Sequence, residues 1–170
     1  MSVYIFSFFI ASMVSPQEWG TNAWKLLHGL AERVGNQSNI ILIRDERNEL
    51  RLTLRHFWAL LPCQKCQKHY KEWIQKHPPD EWINGPFGTD LQDSMRSWLY
   101  SLHENVNQSR EVVSGIPLES LKDLYKGVNL REHANELKGM YHRGLLIRSI
   151  SADTWKVAWK HLDMLLRIIS

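Results

Sequence analysis

Apolar residues recur every three or four positions along most of the chain, the signature of helices with one buried face. The string Ser15-Pro16-Gln17-Glu18 predicts a helix start. Ser15 is placed to cap, Pro16 suits the first helical position, and Glu18 completes a capping box. The pattern continues through Trp19, Trp24, Leu27 and Ala31 and stops near Gly35, with residues 35–39 as a loop. Leu50, Leu54, Phe57, Trp58 and Leu61 predict a second helix over about 44–60. Pro62 ends it, because the residue before a proline avoids the helical region. A third helix opens at Pro62-Cys63 and runs to about Lys76, followed by a loop over 77–88 rich in Pro and Gly. Thr89 and Gln92 read as another capping box. The fourth helix then puts Leu91, Met95, Trp98, Leu99, Leu102 and Val106 on one side. Residues 112–117 break it, and a short helix is expected at about 118–126.

Two more helical patterns fill 128–170, broken near 148–155. Ser151 is the expected cap of the last helix, which carries Trp155, Ala158, Trp159, Leu162, Leu165 and Leu166 on one face. The fold class is therefore all-α. It divides into an apolar N-terminal segment (1–14), a main domain (15–127) and a helical extension (128–170) with amphipathic surface for a partner or a second copy. Residues 3–14 contain no charge, but twelve residues fall short of the roughly 20 needed to span a bilayer. They also lack the basic residues that precede a signal-peptide core. Packing against the core or a partner is the favoured role, ahead of membrane association.

Composition narrows the function classes. The net charge is +3 over 170 residues, and the cations are scattered among acids, so nucleic acid is not an expected ligand. Two cysteines cannot build a disulfide-rich secreted scaffold. Eight tryptophans supply large flat surfaces for a core or for stacking on a planar ligand.

Both cysteines lie in Leu60-Leu61-Pro62-Cys63-Gln64-Lys65-Cys66. At a helix start the unpaired backbone N–H groups and the macrodipole stabilise a thiolate. Residues three apart sit about 60° apart around the axis, so the pair can close a small disulfide with one sulfur turned outward and one inward. That division suits thiol exchange, in which one sulfur takes the attack and the other passes electrons on. Other readings stay open on these residues alone. Cys63, Cys66, His69 and His77 are potential zinc ligands, although no second close pair accompanies them. A thioredoxin-like site would need flanking strands, a c-type haem would need His in place of Gln67, and the cysteines can also be inert core residues.

Two further stretches carry polar groups on helical faces. Gly20, Trp24 and His28 are spaced four apart, a stripe that a flat ring can approach. His103, Asn105, Val106, Asn107 and Arg110 end the fourth helix. Each stretch alone is equally a core stripe and a helix stop.

Taken in order, Trp19-Gly20, Trp24, His28, then Leu61-Pro62-Cys63-x-x-Cys66, then Trp98, His103, Val106 and Asn107, the set resembles the Erv/ALR family of FAD-dependent sulfhydryl oxidases. The resemblance covers about Trp19 to Lys126 and is most similar to the versions of large cytoplasmic DNA viruses. It implies a four-helix cup with a short fifth helix, holding FAD beside the cysteine pair. Gly20, Trp24 and His28 would contact the flavin from the first helix, and Trp98, His103, Val106 and Asn107 from the fourth. Lys122 and Tyr125 would add basic and aromatic contacts. The family usually has Asn after this His, where this chain has Glu104, and Arg110 would take over a phosphate contact. The resemblance further implies that Cys63 meets the substrate thiol, that Cys66 faces FAD, and that electrons go on to O2 to give hydrogen peroxide. The implied partners are protein thiols, reached through a small redox relay protein, and a second copy in a homodimer. The implied place is the host cytoplasm and the virion.

Overall fold

The computed structural model describes residues 16–146 and 151–170. The apolar segment 3–14 and the expected cap Ser15 lie outside the described residues, as do residues 147–150 at the start of the break expected near 148–155. Eight α-helices and no strand occur among the described residues: α1 (Pro16–Ala31), α2 (Ile40–His56), α3 (Gln64–Lys76), α4 (Asp80–Ile83), α5 (Thr89–Ser109), α6 (Leu121–Tyr125), α7 (Leu130–Leu146) and α8 (Ala152–Ile168). A 3-10 turn, Phe57–Leu60, prolongs α2, and another, Leu118–Ser120, leads into α6. None of these helices is long and apolar enough to cross a membrane.

Three local expectations are corrected. α2 begins at Ile40 rather than about residue 44, because Asn39 caps it, its Oδ1 accepting from Ile41 N at 2.8 Å. The added turn carries exposed Ile40, Ile41 and Leu42, which fall off the buried stripe and so hide the start. The expected Thr89–Gln92 capping box does not form. Gly88, at φ +86°, takes the cap position, and Gln92 Nε2 donates instead to Val34 O at 2.8 Å. Ser151 does hold the cap position of α8, but its hydroxyl accepts from Thr154 Oγ1 rather than from a backbone N–H.

The main cup is built by α1, α3 and α5 with the 57–60 turn, and one continuous core joins it to α7 and α8. α7 lies along α1, and α8 lies along α2 and the 57–60 turn. The apolar face of α8, including Trp155, Leu162 and Leu165, is thereby buried within the chain. Tyr141 of α7 stacks on Trp155 at 3.8 Å, and Arg131 pairs with Asp163 at 2.6 Å. The Arg131 hydrogen bond holds the Asp163 carboxyl below the usual range.

At the base of the cup the loops after α1 and before α5 touch. Gly35 is at φ +84°, and a Cβ there would come within 2.5 Å of Gly88 O, so only glycine fits. The Gly35 N–H donates to the buried Glu46 carboxylate at 2.6 Å, and burial pushes that carboxyl group up. Just past α1, Glu32 accepts two hydrogen bonds from Arg96 of α5, at 2.8 and 2.7 Å. These side chains are 3% and 11% exposed. Glu32→Ala would leave the guanidinium short of its main partner between two walls of the cup. The expected loss is about 3 kcal/mol, since breaking one side of a buried pair strands the other charge. It should appear as a lower urea midpoint with an unchanged slope, and Glu32→Gln should lose less.

Candidate active site

The chain leaves the 57–60 turn through Leu61, which Pro62 behind it forces into extended geometry (ψ 124°), and the helix restarts after Cys63. Cys63 is the cap residue of α3 in extended geometry, φ −136° and ψ 115°. Its sulfur is joined to that of Cys66, with the Cα atoms 5.2 Å apart. The Cys66 N–H points at Cys63 Sγ at 3.3 Å, so an orphan donor of the helix start faces the sulfur. Gln67 Nε2 donates back to Leu61 O at 2.7 Å and pins the entry strand.

Cys66, not Cys63, forms part of the wall of a cavity of about 250 Å³. α1 contributes Trp19, Gly20 and Trp24 to it, α3 contributes His69, α5 contributes Val106, and Arg110 follows directly after α5. Phe57, Leu61 and Leu102 make its apolar floor. A Cβ added to Gly20 would meet no atom within 4 Å, so the absent side chain leaves open space on this wall. The volume lies just below the roughly 300–1,000 Å³ of pockets that swallow whole drug-sized ligands, and suits a flat ring system with the rest of its molecule at the rim.

Trp24 stacks on His103 at 3.8 Å, with 9° between the planes. His103 Nδ1 lies 3.2 Å from His28 Nε2, and His28 stacks on Tyr125 at 4.6 Å. His28, His103 and Tyr125 line a second, smaller hollow with Glu104 and Ser114. His28 is 2% exposed, and its Nδ1 has no hydrogen-bond partner among the described residues. Burial, and after it His103, lowers its pKa from 6.5 to about 3, so this ring is neutral. Burial also lowers His103 and raises Tyr125.

Of the sequence-derived residues, the large cavity gathers Gly20, Trp24, Cys66, Val106 and Arg110, and the aromatic stack ties in His28, His103 and Tyr125. Trp98 is elsewhere. It is buried against Trp73 and Trp82, and its indole N–H donates to His77 O at 2.8 Å, closing the 77–88 loop. Asn107 lines neither hollow; its amide donates to Glu104 Oε1 at 3.2 Å, and Ser114 Oγ donates to the same oxygen at 2.7 Å. Glu104 thus organises the chain after α5. Lys122 is exposed and lines neither hollow. His69 entered the sequence reading only as a potential metal ligand. Here it lines the cavity and its Nε2 meets Asn105 Oδ1 at 2.7 Å. Among the described residues no cluster of three or more His, Cys, Asp or Glu is placed to hold a metal ion. Trp19, Phe57, Leu61 and Tyr70 also line the cavity; Trp19 and Leu61 stand in the ordered motif, but none of the four was assigned a contact.

A helical cup with a disulfide opening onto an aromatic cavity is an arrangement suited to thiol exchange beside a planar ligand. The family model of the Erv1/Alr family matches residues 21–115, more than half of the chain, and the chain belongs to that family. It is a family of sulfhydryl oxidases, typically FAD-binding. No curated protein and no solved structure matches the chain. The matched span ends before α6, so α7 and α8 lie outside it.

Proposed function

We propose that the protein is an FAD-dependent thiol oxidase that makes disulfides in other proteins. The observation that carries this reading is that Cys66 of the Cys63–Cys66 disulfide lines the same cavity as Gly20 and Trp24. The residues present fit the cofactor: a flat-walled cavity, open space at Gly20, and an unpartnered buried His28 Nδ1 behind the stack. Gly20, Trp24 and Val106 would hold the ring system, and Arg110 with Lys65 at the rim would meet anionic groups. His28, His103, Tyr125 and, more remotely, Lys122 would complete the binding surface. Bound FAD supplies a two-electron acceptor that O2 reoxidises, with hydrogen peroxide as product.

The protein's own part is thiol exchange. A substrate thiolate attacks Cys63 Sγ, the Cys63–Cys66 bond breaks, and Cys66 leaves as a thiolate on the cavity side. The second substrate thiol displaces Cys63, releasing an oxidised substrate. The start of α3 and nearby Lys65 favour the thiolate form of the leaving sulfur. We further propose that protein thiols reach Cys63 through a small redox relay protein. In this reading the chain acts as a homodimer in the host cytoplasm or virion.

The test is direct. Purified protein should show a flavin absorption band, and a dithiol should drive oxygen uptake with peroxide formed in equal amount. A colourless protein that consumes no oxygen with a dithiol overturns the proposal in favour of a binding role for the fold.

A further inference from the structure

We propose that His69 is the proton acceptor of the disulfide site and that Asn105 is the residue that positions it. The biological meaning of this rests on the thiol-oxidase reading; the geometry does not. His69 follows Cys66 by three residues on α3, and both line the same cavity. His69 Nε2 is 2.7 Å from Asn105 Oδ1 on α5. An amide oxygen only accepts, so Nε2 carries the hydrogen, and the neutral ring keeps its basic lone pair on Nδ1. Among the described residues Nδ1 has no protein partner.

The other polar groups of the cavity are unsuited to take a proton. Lys65 from α3 and Arg110 just after α5 are cations. Tyr70 Oη donates to Leu54 O at 2.7 Å, and burial pushes its hydroxyl group up. Ser109 Oγ donates to Val106 O at 2.7 Å. Among the described residues α1 and the 57–61 segment bring no titratable side chain to the cavity, and no carboxylate lines it. His69 thus brings the only imidazole of the described lining to a wall that must accommodate a newly formed Cys66 thiolate.

The balance is as follows. A substrate dithiol gives two electrons and two protons. The electrons open the Cys63–Cys66 bond, one proton ends on Cys63 Sγ, and the other ends on His69 Nδ1. The products are an oxidised substrate, a Cys63 thiol, a Cys66 thiolate and an imidazolium near it. The positive ring stabilises the thiolate in the way a neighbouring cation lowers a cysteine's pKa.

The experiment follows alkylation of Cys66 by iodoacetamide across pH in the fully reduced full-length protein, with the site assigned by mass spectrometry. His69→Gln is expected to move the midpoint of reactivity to higher pH by about one unit, which is roughly tenfold slower alkylation at neutral pH. Asn105→Leu should move it in the same direction, and Asn105→Asp, which keeps the acceptor, should hold the profile near that of the parent. An unmoved midpoint in His69→Gln overturns the proposal. If that variant does not fold, an unmoved midpoint in Asn105→Leu does so. The assay needs neither flavin nor oxygen. Failure of oxygen uptake therefore removes the oxidase reading and leaves this result to stand or fall separately.

Discussion

Cys66→Ser is expected to abolish dithiol-dependent oxygen uptake, with a loss of at least roughly 10³-fold, the scale seen when one member of an interdependent catalytic set is removed. The reason is positional. Cys66 is the sulfur that reaches the cavity wall, and without it electrons taken at Cys63 have no adjacent acceptor. Cys63→Ser should lose a similar amount, because it removes the partner of the same bond, and the double variant should be no worse than either. The two single variants differ in what they trap. In Cys66→Ser the remaining Cys63 thiol can join an oxidised partner and has no neighbouring thiol to release it, so a lasting mixed disulfide should accumulate. In Cys63→Ser the remaining sulfur faces the cavity, and capture of protein partners should be weaker. Both variants should keep the helical far-ultraviolet spectrum, since neither sulfur belongs to the fully buried core. Oxygen uptake by Cys66→Ser at the parental rate would remove the role assigned to this residue.

The helices that build the cup were legible because their apolar positions keep a regular period and their ends carry strong signals, Pro16 for α1 and Pro62 for α3. The start of α2 was not, because Ile40, Ile41 and Leu42 sit in the helix with their side chains in water. The one-turn helix α4 is held by tertiary contacts, Arg51 to Asp80 at 3.0 Å among them, which no local pattern announces. An amphipathic face states that it must be covered and not by what. The α8 stripe was plain in the chain, but its covering by α2 is a contact between residues about a hundred positions apart.

The same asymmetry applies to the site. Cys66, Gly20, Trp24 and His103 were singled out because their order along the chain is distinctive; the first three line one cavity, and His103 stacks on Trp24. Phe57, Leu61 and Tyr70 were not assigned a contact, since a cavity wall made of apolar residues reads like any other core position. Trp98 shows the converse: a residue on the correct helix and in the motif whose indole is drawn to His77 O and two tryptophans instead. The structure also gives Glu104 and Asn105 separate tasks. Glu104 gathers Asn107 and Ser114 on one side of α5, while Asn105 reaches across to α3. A motif letter alone does not distinguish these directions, because consecutive helical residues point about 100° apart.

The buried His28 is expected to make the fold acid-sensitive well above the carboxylate range. Its pKa falls from 6.5 to about 3 on folding, chiefly because burial disfavours the imidazolium and then because His103 is close. Between those values the unfolded chain binds a proton that the native protein does not. Stability therefore rises with pH across that window and is flat above it. Complete loss of this contribution at low pH amounts to roughly 4–5 kcal/mol, a large share of a typical domain stability. His103, also lowered by burial, adds to the slope with the same sign. Glu46 opposes it, because a raised carboxyl group favours the native state at the acid end. Asp163, lowered by Arg131, contributes only below about its ordinary 3.8. Glu46 and Asp163 keep their partners in His28→Gln, so the difference between parent and variant reports His28 together with its contact to His103. At pH 7 the variant should be less stable, having lost the stack on Tyr125 and the contact with His103. Urea titrations at pH 7 and 4.5 should show the parent losing more stability than the variant over that interval, by about 2 kcal/mol or more. Equal losses in the two proteins would mean that His28 becomes protonated inside the fold without penalty. The stack of Trp24, His103, His28 and Tyr125 would then not be the dry, neutral column that its burial implies.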